Sequence, residues 1–317
     1  MSAPVPAVLA EYTRSGFAES VHLGHAVVVG PTGEIVASWG DPGAVIFPRS
    51  ANKPAQATAM VAAGLDLPPE LLALAAASHS GERVHLDGAA AILALAGLDA
   101  TALRTPADYP LDPVERDAWV CAGRAPEPIG MNCSGKHAAM LLTCVLNGWP
   151  TDGYRAPDHP LQVGVRAHLE RLSGEEVGHI GIDGCGAPVM ALTVAGLARS
   201  LSVSVQAPES APERRVVDAM RAWPERVGGS RRDVTHLMKA VPGLLCKDGA
   251  EGVYAAALPD GRAIALKVLD GSERARLVAL TAVLAALGVP EGSLAQYRQL
   301  PVLGGGAVVG HVCSPLA

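Results

Sequence analysis

Strand-type patterning is confined to the two ends of this chain, and that separation is the strongest constraint on its fold. Residues 25–30 form an unbroken run dominated by valine, Pro31-Thr32-Gly33 has turn chemistry, and residues 34–39 resume the strand pattern, so a hairpin is expected there. Near the other end, residues 253–258 and 263–269 flank Pro259-Asp260-Gly261, and Asp-Gly between two apolar runs is a hairpin signal. The chain between reads mainly as helices, at 55–63, 69–77, 85–98, 138–146, 161–172, 189–201 and 214–222, with a long alanine–leucine helix at 273–287. A sheet buries its apolar face only against another layer, so the simplest packing joins the terminal strands in one antiparallel sheet covered by the 273–287 helix. The expected class is therefore α/β (α+β). Residues 1–64 and 236–317 form a sheet lobe, and residues 65–235 an inserted helical lobe of one intertwined unit.

Length and composition allow a large core, and the 49% apolar, 18% charged balance is that of a globular chain. Aromatics supply only 3%, so that core must be built from alanine, leucine and valine. A net charge of −6 without any basic run argues against nucleic acid or an anionic membrane as partner. No apolar run approaches the ~18 residues needed to span a bilayer, and Met1-Ser2-Ala3-Pro4-Val5-Pro6 lacks the pattern of an export leader. A soluble cytoplasmic protein is expected. In that compartment Cys121, Cys133, Cys144, Cys185, Cys246 and Cys313 are thiols or ligands, not a disulfide frame.

The stretch Pro48-Arg49-Ser50-Ala51-Asn52-Lys53-Pro54 lies where a strand-like run hands over to a helix-like one. With a helix starting at or just after Ser50, Ser50 and Lys53 share a face, placing a hydroxyl nucleophile beside an amine. The amine takes a proton only when neutral. The apolar wall of Ala55, Ala57, Met60 and Val61 disfavours its charged form, and a second cation such as Arg49 acts in the same direction. The bland alternative is a serine N-cap followed by a solvated lysine. If sheet and helical lobe meet near Ser50, a pocket is expected there.

Other residues carry weaker signals. Residues 130–137 and 180–188 are glycine-rich and read as loops, and they hold Cys133 and Cys185, two thiols of the kind that ligate zinc. Their third partner is open on spacing alone: His137 is the ordinary choice, because lysine is not a usual ligand. Buried apolar thiols are the plainer reading of both. Ser80, in Ser78-His79-Ser80-Gly81-Glu82, reads as a turn or N-cap serine. Asp183 is either an anchor for Cys185 or a carboxylate for an amino group, and His79, His85 and His137 read as wall residues.

Ser50 and Lys53, together with a C-terminal strand carrying Lys267, resemble the arrangement of the serine β-lactamase fold. Lys267 is followed by Val268-Leu269-Asp270 rather than by Thr-Gly, and no Ser-Asp-Asn box is present. A fuller resemblance covers nearly the whole chain. Residues 48–54, 78–82, Met131-Asn132-Cys133-Ser134-Gly135-Lys136-His137, Asp183-Gly184-Cys185-Gly186-Ala187-Pro188 and Lys247-Asp248-Gly249-Ala250-Glu251-Gly252-Val253 occur in order. Together they resemble the asparaginase II family, the rhizobial-type class 3 L-asparaginases. What the resemblance implies is a pair of serine–lysine tandems, Ser50 with Lys53 and Ser80 with Lys267, and a zinc ion held by Cys133, Lys136 and Cys185. It further implies hydrolysis of L-asparagine to L-aspartate and ammonia, and a homodimer. Arg49 and Asp183 are the candidate substrate-binding residues. A β-lactamase or DD-peptidase type of serine hydrolase is the alternative, and a catalytically silent zinc protein a third reading.

Overall fold

The computed structural model describes residues 5–316. Residues 1–4, part of the segment on which the absence of a leader was read, lie outside them. The strands are β1 (Ala7–Arg14), β2 (Phe17–Val29), β3 (Ile35–Trp39), β4 (Val45–Ile46), β5 (Ile180–Ile182), β6 (Pro188–Met190), β7 (Leu192–Thr193), β8 (Leu245–Gly249), β9 (Val253–Ala257), β10 (Ala263–Val268), β11 (Gln299–Gly304) and β12 (Ala307–Cys313). The helices are α1 (Lys53–Ala62), α2 (Pro69–Ala75), α3 (Arg83–Leu95), α4 (Pro113–Cys121), α5 (Ser134–Leu146), α6 (Pro160–Ser173), α7 (Val194–Gln206), α8 (Pro212–Ala222), α9 (Pro224–Val227), α10 (Asp233–Ala240), α11 (Glu273–Ala286) and α12 (Glu291–Arg298). Among the described residues no helix is long and apolar enough to cross a membrane.

The chain divides into two compact units: residues 1–51, 192–206 and 237–317, and residues 52–191 and 207–236. In the first, one antiparallel sheet runs β11-β12-β1-β2-β10-β9-β8, with β3 added to β2. The terminal strands thus pair as their patterning predicts: Val27 and Val28 face Ala265 and Ile264 across the β2–β10 ladder. Successive residues of β10 are buried, so both sheet faces are covered at the centre. Helix α11 packs on β1, β9 and β10, and α7 packs on β2, β9 and β10. Small side chains, Ala255, Ala256, Ala257, Ala263 and Ala265, let these helices approach closely without aromatic filling.

The second unit is a helical cluster. Helix α1 packs on α6 and α8, α3 on α5, and α2 on α5 and α8. Gly135 is placed by that packing, since a Cβ there would lie 2.5 Å from Leu74 Cγ and 2.8 Å from its carbonyl oxygen.

Several local expectations change. The division after residue 64 moves to residue 51, because the buried face of α1 packs on helices of the second unit. Residues 192–206, expected in the helical lobe, belong to the sheet unit through α7. The 180–188 loop is a two-stranded hairpin, β5 with β6, whose Ile180↔Met190 and Ile182↔Pro188 pairs leave Gly184 and Gly186 in the turn. The helix read at 189–201 starts at Val194, after β6 and β7 have used residues 188–193. Residues 134–137 are the first turn of α5 and not a loop. β1, β8, β11, β12, α4 and α12 were not expected at all: they are short, lack strict periodicity, or sit on the half-exposed sheet edge.

Candidate active site

In the sheet unit, Ser50 lies on a single 3-10 turn, Arg49–Asn52, just before α1. Ala51 N–H donates to Pro48 O at 3.0 Å, and Arg49 adopts φ +51, a left-handed conformation that costs a non-glycine residue energy and must be held by its surroundings. The turn rests on edge strand β8. Gly249 is so close that a Cβ there would stand 2.8 Å from Pro48 O and 3.3 Å from Ala51 N. Behind it, Arg276 of α11 donates to Gly249 O and lies 3.7 Å from Asp248. Asp248 in turn accepts from the fully buried Lys247 ammonium at 2.5 Å.

Beside the turn is a cavity of about 530 Å³ lined by His25, Arg49, Glu251, Lys267 and apolar residues 44–47. Lys267 Nζ donates to the Glu251 carbonyl. Burial pulls the Lys267 amine below its ordinary value; Arg49 pushes the same way, while Glu251 and Asp270 oppose them. His25 accepts the Asp41 N–H at Nδ1, 3.0 Å away, so its neutral ring carries the proton on Nε2. Burial favours that neutral form, with the Asp41 charge working against it.

In the helical unit, Lys53 opens α1, ahead of Pro54 in the first turn. Its side chain is buried, and Nζ reaches Ala77 O at 2.5 Å, Ser78 Oγ at 2.9 Å and Cys133 Sγ at 3.0 Å. Cys133, Cys185 and Ala187 form one buried cluster. Cys133 is held well below an ordinary thiol pKa, first by its hydrogen bond with Cys185, then against burial by Lys53 and Lys136. Lys136, on the first turn of α5, donates to Cys185 Sγ at 3.3 Å. Burial lowers its pKa, but the Cys185, Cys133 and Asp183 charges outweigh this and raise it. His137 instead bonds the Tyr154 hydroxyl at 2.7 Å through Nδ1, and burial brings its ring down to about 4.

Nitrogen and sulfur ligands at ordinary zinc bond lengths on a tetrahedral ion stand about 3.6 Å apart. The 3.3 Å between Lys136 Nζ and Cys185 Sγ is near this spacing, and Cys133 lies in the same buried cluster as Cys185. Among the described residues no group of three His, Cys, Asp or Glu side chains could hold a metal, so the expected donor set of Cys133, Lys136 and Cys185 depends on the lysine. Asp183 shapes the loop: its Oδ1 accepts Gly184 N–H at 2.8 Å and its carbonyl accepts Gly186 N–H at 2.8 Å.

Ser80 is fully buried and donates to Gly228 O at 2.7 Å. Gly229, at φ +114, makes room for it, since a Cβ there would fall 2.2 Å from Ser80 Oγ. Ser50 and Lys267 belong to the sheet unit, and Lys53 and Ser80 to the helical unit.

With these clusters in place, the decisive comparison is with the L-asparaginase II family, whose model matches residues 10–314. The chain belongs to that family. No curated protein sequence matches it. Among solved structures it is similar to Mglu in its native form (14% identity, TM-score 0.45, covering 83% of this chain and 64% of that one). It is also similar to a β-lactamase from Mycobacterium bovis (17% identity, TM-score 0.38, 83% and 94% covered). The chain thus spans less than two thirds of the length of Mglu.

For this L-asparaginase II family member, two residues escaped the sequence reading. Lys247 sits on β8, two positions before the glycine that seats the Ser50 turn; it lay within the quoted 247–253 motif, but no role was read for it. Ser78 is the hydroxyl that Lys53 touches within its own unit, and no local pattern separates it from Ser80.

Proposed function

We propose that this protein is an L-asparaginase that hydrolyses the side-chain amide of L-asparagine to L-aspartate and ammonia. Family membership supports an amidohydrolase. The observation that carries the finer reading is the close seating of the Ser50 turn on Gly249, beside a cavity lined by Arg49, Lys267 and Glu251. A cavity with charges of both signs suits a zwitterionic amino acid, and a serine on a braced turn can be held at attacking distance.

In this reading Ser50 Oγ attacks the amide carbon and Lys53 accepts its proton. The tetrahedral intermediate expels ammonia, and water cleaves the acyl-enzyme. The Ser50 backbone N–H is one oxyanion donor. Ser80 with Lys267 completes the proton relay, and Lys247 competes with Lys267 for the second lysine's role because its strand braces the Ser50 turn. Cys133, Lys136 and Cys185 would hold zinc, with Lys136 coordinating as the neutral amine after the ion displaces its proton. Bound there, zinc would supply a Lewis acid or a fixed point for orienting substrate. A homodimer remains part of the reading through the resemblance alone.

Ammonia release from asparagine by purified protein tests the proposal directly. Ser50→Ala is expected to fall to background while keeping its fold, because losing a hydroxyl at a helix start costs about 1 kcal/mol. A tenth of the rate surviving in Ser50→Ala removes the nucleophile, and absence of ammonia release from the native protein removes the activity.

A further inference from the structure

The hairpin that carries Cys185 has a second, outward side. There a cavity of about 520 Å³ is lined by Arg104, Arg155, Tyr154 and the backbone of Gly153, Gly181 and Gly186, with no aspartate or glutamate in its wall. That size is ordinary for a small-molecule site. Arg155 is partly buried, and its guanidinium makes no hydrogen bond or ion pair among the described residues. A guanidinium partly withdrawn from water and without a protein acceptor keeps its donors available to a ligand.

The position of Arg155 is built. Gly186 takes φ +81, and a Cβ there would lie 2.0 Å from Arg155 Nη1, so glycine at this turn leaves the space that the guanidinium occupies. Arg104 spends one nitrogen on exposed Asp152 at 3.2 Å, a surface pair that contributes little and leaves other N–H groups available. Tyr154 adds no charge, because burial pushes its phenol up to about 12. The cavity is therefore cationic at neutral pH.

We propose that this cavity binds a small oxyanion-bearing metabolite, a dicarboxylate or a phosphate ester, through the guanidinium groups of Arg155 and Arg104. Guanidinium forks match both anion geometries and bind them with charge-assisted hydrogen bonds. Occupancy would fix Arg155 against Gly186 and so brace the turn next to Cys185. None of the residues assigned to amide hydrolysis supplies the anion contacts, so the site stands or falls independently of the proposed activity.

Calorimetric titration of the full-length protein with succinate and with inorganic phosphate, at an ionic strength fixed by chloride, tests it. Saturable binding of at least one anion is expected, and the tighter of the two identifies the carboxylate or phosphate source. Arg155→Gln and Arg104→Gln should each weaken binding at least tenfold, while Ser50→Ala binds as the native protein does. Arg104 is half-exposed, so its variant carries the test if Arg155→Gln does not fold. No saturable binding of either anion, equal binding in a folded arginine variant, or binding lost in Ser50→Ala would each overturn the proposal.

Discussion

Replacing Gly249 with alanine adds one methyl group at the place where the sheet unit holds its serine. Gly249 is absent from the left-handed region, so alanine costs nothing in backbone conformation and the effect reads packing alone. The new Cβ would meet Pro48 O at 2.8 Å, the Val253 side chain at 3.0 Å and Ala51 N at 3.3 Å. Ordinary contact begins near 3.4 Å, and two of the three partners are backbone, so the turn must retreat by roughly half an ångström. Overpacking of this kind costs about 1–3 kcal/mol. At roughly 2.1 cal/mol/K per residue of unfolding entropy, that lowers Tm by about 2–5 °C in a chain of this length. The catalytic effect should be larger, since a misplacement of about 1 Å can cost on the order of a hundredfold. A fall in kcat of about 10- to 100-fold is expected, measured as ammonia release at saturating asparagine, with melting followed by circular dichroism. Gly164, in α6 with nothing within 4 Å of its Cβ position, is the control: Gly164→Ala should keep full activity and gain up to about 1 kcal/mol. Full kcat and unchanged Tm in Gly249→Ala would refute the seating argument.

The remaining expectations concern protons, metal and reaction class. Burial and Arg49 lower the Lys267 pKa, so its neutral, proton-accepting form appears below the ordinary 10.5 and kcat should rise with pH above neutrality. Arg49→Gln removes one repelling cation, raises that pKa and should move the rise to higher pH; an unmoved or acid-shifted profile contradicts the coupling. Purified protein should carry about one zinc per chain by metal analysis, and Cys185→Ser should lose most of it, whereas equal zinc in both forms excludes the proposed ligands. A labelled penicillin should leave Ser50 unmodified in intact-protein mass spectra while a diazo-ketone analogue of asparagine adds to it. Lys267 is followed by Val268 and Leu269, which offer neither a hydroxyl to the penicillin carboxylate nor a glycine for close approach. Penicillin labelling without ammonia release would favour the β-lactamase-type reading.

Much of this molecule is written locally. The valine run of β2, the Asp-Gly turn between β9 and β10, and the Pro54 start of α1 each follow from a few neighbouring residues whose backbone preferences agree with the final fold. The family motifs were equally legible, because each is a short contiguous string. Even the pairing of the terminal strands could be read, since apolar runs at the two ends had only each other to cover them.

Tertiary structure decided what depends on close approach between distant segments. The glycine-rich string at 180–188 became a hairpin because its flanks pair at Ile180↔Met190, although its own composition argued for a loop. Lys247 gained its place beside the Ser50 turn only through Gly249, a contact spanning about two hundred residues of sequence. Lys53 found Ser78 and Cys133 through the packing of its unit, since no spacing along the chain encodes a 2.9 or 3.0 Å meeting. Arg155 illustrates the same point in reverse: it reads as an ordinary surface cation until Gly186 and the walls of its cavity leave the guanidinium partly withdrawn from water. Local preferences act over a few bonds and so can be read from neighbours, whereas burial, desolvation and steric fit exist only once the chain has folded back on itself.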